Sequence, residues 1–192
     1  MNVDPTRIYV TGFSNGGMLT HRIGAEQGNS IAAIAPIAGA MGGSEAPGPI
    51  AWQLPDSDRP MPVLLIHGEL DDRVPYNGGP RPDKPTGQQY LSVSDATEYW
   101  SRQNQCSEVP VTKVLHAGRV EQSRWENCQY KAALQLLKIK EWKHTWPGPH
   151  DPSNEDEIDL QNFDAAEVIW QFFKQHQLPD PQGTPRVSNS VR

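Results

Sequence analysis

Apolar residues along the chain fall into short runs, divided by stretches rich in Gly, Pro and Asp. The run RIYVT at 7–11 is compact, β-branched and ended by a glycine, which is the pattern of a buried strand. A helix is expected to start after Ser14 and run over 15–27, with Gly28-Asn29 as its stop. IAAIAPIA at 31–38 predicts a second buried strand, frayed near Pro36. PVLLIH at 62–67 is the third and clearest strand. A second helix is expected over 92–104, with Ser94 as its N-cap and Ala96, Tyr99 and Trp100 on one face. Segments 111–114 and 119–124 predict a small hairpin, and 134–142 predicts a further strand. Phe163, Ala166, Val168, Ile169, Phe172 and Phe173 lie near helical spacing and predict a last helix over 162–175. The stretches 39–61, 75–88 and 143–160 read as loops. Strands alternating with helices imply an α/β fold with a mostly parallel sheet and flanking helices. One domain over 1–177 is expected, followed by a disordered Pro/Ser-rich tail over 178–192.

Composition narrows the function classes. Lys and Arg total 17 against 23 Asp and Glu, a formal charge of −6. Such a chain lacks the cations that neutralise phosphates in number, so no nucleic-acid partner is expected. No apolar run approaches the roughly 20 residues a membrane helix requires, so no membrane partner is expected either. Met1 leads directly into a polar turn, with no basic and apolar leader, so no signal peptide is visible in this chain. Cys106 and Cys128 are too few for a disulfide scaffold, and composition leaves open one bridge or two free thiols. No Cys/His spacing suggests zinc. The acidic run 151–159 has Asp156 where a calcium-binding EF-hand loop needs glycine, and it reads as a solvated loop. No metal or cofactor is expected.

The chemistry-bearing signal is Gly12-Phe13-Ser14-Asn15-Gly16, a G-x-S-x-G between a predicted strand and a predicted helix. A serine on a sharp strand-to-helix turn needs small flanking residues, and the helix behind it aims N–H groups and a positive dipole end at the site. The Asn15 N–H, next after the serine, is a candidate oxyanion donor. A rival reading takes 11–18 as the T-G-x-x-x-G-x-G of short-chain dehydrogenases, a dinucleotide-binding turn. Against it, Met18 stands at the last glycine position, 31–40 holds no acid to bind a ribose, and no Tyr-x-x-x-Lys occurs.

A serine nucleophile needs a base and an acid to orient that base. In α/β-hydrolases these follow the serine in the order acid, then histidine, on loops after later strands. Glu69, Asp71 and Asp72 directly follow the third strand. Of six histidines, His144 and His150 follow the last predicted strand; His144 lies in a rigid turn context before Pro147-Gly148, and His150 is the fallback. Trp146 and Tyr76, near His144 and Asp71, are candidates to line an acyl or aromatic subsite, with plain packing equally open.

Three segments together resemble one family: RIYVTGFSNGGM at 7–18, HGELDDRVPYNGG at 67–79 and HTWPG at 144–148. They resemble the esterase/polyhydroxybutyrate-depolymerase family of α/β-hydrolases, which includes polyester depolymerases, feruloyl esterases and acetyl-xylan esterases. The resemblance covers residues 3–176 and implies a serine carboxylic-ester hydrolase with Ser14 as nucleophile, Asp71 as acid and His144 as base. It also implies a disulfide between Cys106 and Cys128, acyl, feruloyl or polyester-type substrates, and an extracellular or periplasmic setting. One departure is Lys143, which stands where the family has a glycine before its histidine. Such hydrolases carry further strands before the elbow, with the loop that gives the second oxyanion N–H. The chain therefore reads as a portion lacking the N-terminal strands, with the 7–11 strand left as a sheet edge. Losing one oxyanion donor costs about 10²–10³ in turnover, so a domain with little or no activity is the alternative. The apolar edge is expected to pair with a second copy of the chain or with a separate N-terminal fragment.

Overall fold

The computed structural model describes residues 3–148, 160 and 163–179. In chain order the strands and helices are β1 (Tyr9–Phe13), α1 (Asn15–Glu26), β2 (Ala33–Ile37), β3 (Gly42–Ser44), β4 (Trp52–Gln53), β5 (Val63–Gly68), β6 (Gly79–Pro80), β7 (Gln89–Tyr90), α2 (Val93–Gln103), β8 (Val111–Leu115), β9 (Val120–Trp125), β10 (Leu134–Ile139) and α3 (Ala165–Phe173). Six strands form the main sheet in the order β1-β2-β5-β10-β9-β8. β1, β2, β5 and β10 run parallel, and β9 and β8 continue the sheet antiparallel as a hairpin. The α/β expectation holds, with a mixed sheet whose site-bearing half is parallel.

Period-2 alternation divides the core between the two faces of this sheet. Ala33, Ala35, Ile37, Leu64, Ile66, Leu137 and Ile139 cluster with Ile169, Phe172 and Phe173 of α3. Ile34, Val63, Leu65, Leu134 and Leu136 cluster with Ala25 of α1 and with Ala96, Tyr99 and Trp100 of α2. The parallel strands are therefore buried on both sides, which is why they read as continuous apolar runs.

Several boundaries differ from the sequence expectation. The first strand begins at Tyr9 and continues through Gly12, because Asp4 first ties residues 4–7 into a turn. Pro36 lies inside β2, and the register to β5 pairs Ile34 with Val63 and Ile37 with Ile66, on either side of the proline. The cap of α2 is Ser92, not Ser94. Asp95 accepts from the Ser92 N–H while Ser92 Oγ accepts from the Asp95 N–H, a reciprocal box that Ser94 cannot form. The loops 39–61 and 75–88, with Gln89–Tyr90 just after the second, contribute strands of two or three residues to a second sheet, ordered β4-β3-β7-β6. Elements this short carry no periodicity to read.

β1 pairs with β2 on one side and forms an edge of the main sheet. Its faces are partly covered: Tyr9 stacks on Phe173 at 4.8 Å and donates from its hydroxyl to the His176 carbonyl, while Val10 packs against the α1/α2 side and Thr11 stays exposed. Leu178 is buried and its N–H donates to the Thr6 carbonyl, so the chain is docked past position 177. Residues 180–192 of the expected tail, His150 and the acidic 151–159 stretch lie outside the described residues.

Candidate active site

Ser14 follows β1 directly and caps α1 with φ 58° and ψ −119°, a left-handed backbone that costs a non-glycine residue about 1–3 kcal/mol. Close packing holds it there. The Ser14 N–H donates to the Ile37 carbonyl, and its own carbonyl accepts from Met18. A Cβ on Gly12 would collide with the Gly16 carbonyl, and one on Gly17 would meet the Ile37 oxygen at 2.5 Å. Gly39, just past β2, presses on Gly17 from the other side, where a Cβ would lie 2.6 Å from the Gly17 carbonyl carbon. Asn15 is the first residue of α1, so its N–H belongs to the helix-terminal set that lacks intrahelical acceptors.

Asp71 sits in the turn after β5, and His144 follows β10. The two loops are laced together. Glu69 N–H donates to Ile139, Leu70 N–H donates to Trp142, and Gly68 lies so close to the Trp142 carbonyl that a Cβ would collide with it. Trp142 is buried, and its Nε1 donates to the Thr145 carbonyl, which closes the turn that presents His144.

The result is a continuous path. His144 Nε2 lies 2.9 Å from Ser14 Oγ, and His144 Nδ1 lies 2.8 Å from Asp71 Oδ2 and 3.0 Å from Oδ1. A carboxylate can only accept, so Nδ1 carries the proton and the Nε2 lone pair receives the serine hydroxyl. Asp71 is buried and also accepts from the N–H groups of Arg73 and Val74. Burial alone would raise its pKa, but hydrogen bonds from His144, His67 and Val74 outweigh it and hold the carboxyl below the usual range. Of the three carboxylates the sequence offers, Asp71 is the one bonded to His144; Glu69 pairs with Lys138 at 2.7 Å, and Asp72 lies 3.8 Å from Arg73.

The aromatic candidates take separate places. Exposed Trp146 sits with its ring centroid 6.5 Å from that of Phe13, whose ring packs 4.7 Å from His144, so the two aromatics form a rim beside the histidine. Tyr76 packs edge-on against His67 at 5.8 Å, with Lys138 Nζ 5.2 Å from its ring centroid. Burial, Glu121 and Glu69 push its hydroxyl pKa up to about 12. Cys106 and Cys128 are joined in a disulfide. Sequence reasoning missed two neighbours, Phe13 and His67. The signal for His67 is its place near the end of a strand, four residues before Asp71. A serine hydroxyl hydrogen-bonded to an imidazole beside a helix N-terminus has the geometry that nucleophilic acyl transfer requires.

No family model matches the chain. It is 31% identical over 170 residues to a Nocardia uniformis subsp. tsuyamanensis protein named as an esterase, NocK, covering 79% of this chain and 46% of that protein. It is 26% identical over 166 residues to the bifunctional acetylxylan esterase/xylanase XynS20E of Neocallimastix patriciarum, covering 84% of this chain and 20% of that protein. It is 32% identical over 185 residues to feruloyl esterase B of Piromyces equi, covering 92% of this chain and 29% of that protein. The chain spans less than half the length of each of these relatives.

Proposed function

We propose that this chain carries the centre of a serine carboxylic-ester hydrolase of the α/β-hydrolase type. The observation that carries the reading is the hydrogen-bond path Ser14–His144–Asp71. The esterase names of all three relatives support it. In the proposed reaction, His144 Nε2 takes the hydroxyl proton as Ser14 Oγ attacks the ester carbonyl carbon. Asp71 keeps the Nδ1 proton in place and stabilises the imidazolium. The Asn15 N–H donates to the developing oxyanion. Collapse of the tetrahedral intermediate expels the alcohol, which leaves with the proton from His144. Water, deprotonated by the same nitrogen, then hydrolyses the acyl-enzyme and frees Ser14.

Phe13 and Trp146 supply an aromatic rim suited to a flat or extended acyl group, with Tyr76 as a further lining residue on the acid's side. That surface accords with acyl, feruloyl or polyester-type esters. The motif resemblance is what favours the polyhydroxybutyrate-depolymerase branch. The Cys106–Cys128 bridge favours an oxidising compartment, extracellular or periplasmic. The open edge of β1 favours pairing with a second copy or with an N-terminal segment. That same edge, lying on the strand that carries the elbow, favours a second reading: a hydrolase-like domain of little or no activity.

Hydrolysis of p-nitrophenyl acetate, methyl ferulate and a short hydroxybutyrate oligomer tests these readings. The proposal expects turnover that Ser14→Ala lowers by about 10³-fold or more. A folded wild-type chain with no turnover on any of them supports the second reading. Turnover unchanged in Ser14→Ala overturns the first.

A further inference from the structure

His67 is the penultimate residue of β5 and is buried. Its Nε2 lies 2.8 Å from the Val74 carbonyl oxygen and 3.2 Å from Asp71 Oδ2. Both neighbours are acceptors, so Nε2 carries a proton, which it donates to the Val74 carbonyl with the Asp71 carboxylate oxygen alongside. The ring's orientation is held by Tyr76, edge-on on one side.

Four N–H groups surround the two oxygens of Asp71. Oδ1 takes the N–H groups of Arg73 and Val74, at 2.9 and 2.8 Å. His144 Nδ1 reaches both oxygens, Oδ2 at 2.8 Å and Oδ1 at 3.0 Å, and His67 Nε2 lies 3.2 Å from Oδ2. The backbone donors fix one corner of the carboxylate. Among the described residues, His67 is the one group besides His144 that lies against Oδ2. His67 also accounts for the Val74 carbonyl, so one imidazole clamps both the acid and the turn that presents it.

We propose that His67 is a positioning residue that acts through Asp71, holding Oδ2 at the distance and in the plane that His144 Nδ1 requires. This rests on the ester-hydrolase reading for its effect on rate, and on geometry alone for its effect on His144. A buried histidine that merely fills the core would matter for stability but not for the orientation of Asp71.

His67→Leu removes the donor. His67→Gln keeps an amide donor at the place of Nε2. His67→Asn keeps a polar side chain too short to reach Oδ2 and substitutes for the Leu variant if that one does not fold. Rates are taken per active serine, titrated with a fluorophosphonate. His67→Leu or His67→Asn is expected to lower kcat by about 10- to 100-fold with KM little changed, and His67→Gln to restore most of the loss. The second readout needs no turnover: the downfield proton NMR signal of His144 Nδ1–H, identified by its loss in His144→Ala. It is expected to persist in His67→Gln and to shift or vanish in His67→Leu or His67→Asn. An unchanged His144 signal, or equal kcat in the Gln and Leu variants, overturns the positioning role. A wild-type protein that shows the expected signal but hydrolyses no ester sinks the hydrolase reading and leaves the positioning role standing.

Discussion

The indole Nε1 of Trp100 donates to His21 Nδ1 at 3.0 Å, joining α2 to α1 through a fully buried imidazole. Burial pushes the His21 pKa down to about 3, opposed by the Gly39 carbonyl and reinforced by His67. The ring is neutral in the folded chain, with Nε2 protonated and Nδ1 accepting.

A neutral buried histidine makes stability depend on pH. The folded pKa of about 3 lies below the ordinary value of 6.5, so between them the unfolded chain binds a proton that the folded chain does not. This contribution is whole above the ordinary value and drains as pH falls towards the folded one, by up to about 1.4 kcal/mol per pH unit. His176, also depressed by burial, acts in the same direction. His21→Gln retains an acceptor for Trp100 but does not titrate. Urea unfolding followed from neutral pH into acid is expected to show a shallower loss of stability in His21→Gln than in the wild type. Equal slopes would contradict the burial argument.

The elbow glycines are not equivalent. Gly17 faces the Ile37 carbonyl and Gly39, whereas nothing lies within 4 Å of a Cβ built on Gly16. Gly17→Ala is expected to cost about 1–3 kcal/mol and to displace Ser14. Gly16→Ala is expected to leave stability unchanged or raise it by up to about 1 kcal/mol, since alanine is the better helix former. Thermal melts of the two variants check this; equal losses would show that the motif glycines act by some means other than packing.

The bridge between Cys106 and Cys128 closes a separation of 22 residues and is worth about 3 kcal/mol by chain-entropy reasoning. Mass spectrometry of natively purified, unreduced protein is expected to show no free thiol, and reduction to lower the unfolding midpoint. Two alkylatable thiols before reduction would contradict it.

The open edge of β1 is expected to associate. The Ile8 carbonyl and the Ser14 N–H both bond to the β2 side, so in a parallel ladder the N–H groups of Tyr9, Thr11 and Phe13 point outward. Light-scattering chromatography is expected to report a dimer or larger species, and Thr11→Pro, which deletes an outward N–H, to shift it towards monomer. A sharp wild-type monomer peak with cooperative melting would show that the edge needs no partner.

What was legible in the sequence was whatever depends on local pattern. Ser14 is marked by glycines within two residues, and β5 by an unbroken apolar run, so both could be read directly. The acid needed the family resemblance to single out Asp71, because Glu69 and Asp72 are equivalent to it in local sequence and differ by the fold of one turn. Ser92 and Ser94 are likewise alike as caps until Asp95 is seen to close the box on Ser92. The His67 contact was illegible because a histidine inside an apolar strand has no pattern of its own. Its meaning comes from Val74 and Asp71 folding back over the strand end. The small sheet β4-β3-β7-β6 leaves no mark in the sequence, because its strands are too short for alternation to register.

The central claim is that Ser14 is activated through His144 by Asp71. Its most direct test is the rate of phosphonylation by a fluorophosphonate, with the adduct located by peptide mass spectrometry, in the wild type and in Asp71→Asn. The account predicts a single adduct on Ser14 and a rate lower by about 10³–10⁴ in Asp71→Asn, since an amide cannot hold the Nδ1–H tautomer as the carboxylate does. An adduct on another residue, or equal rates in the two proteins, would contradict it.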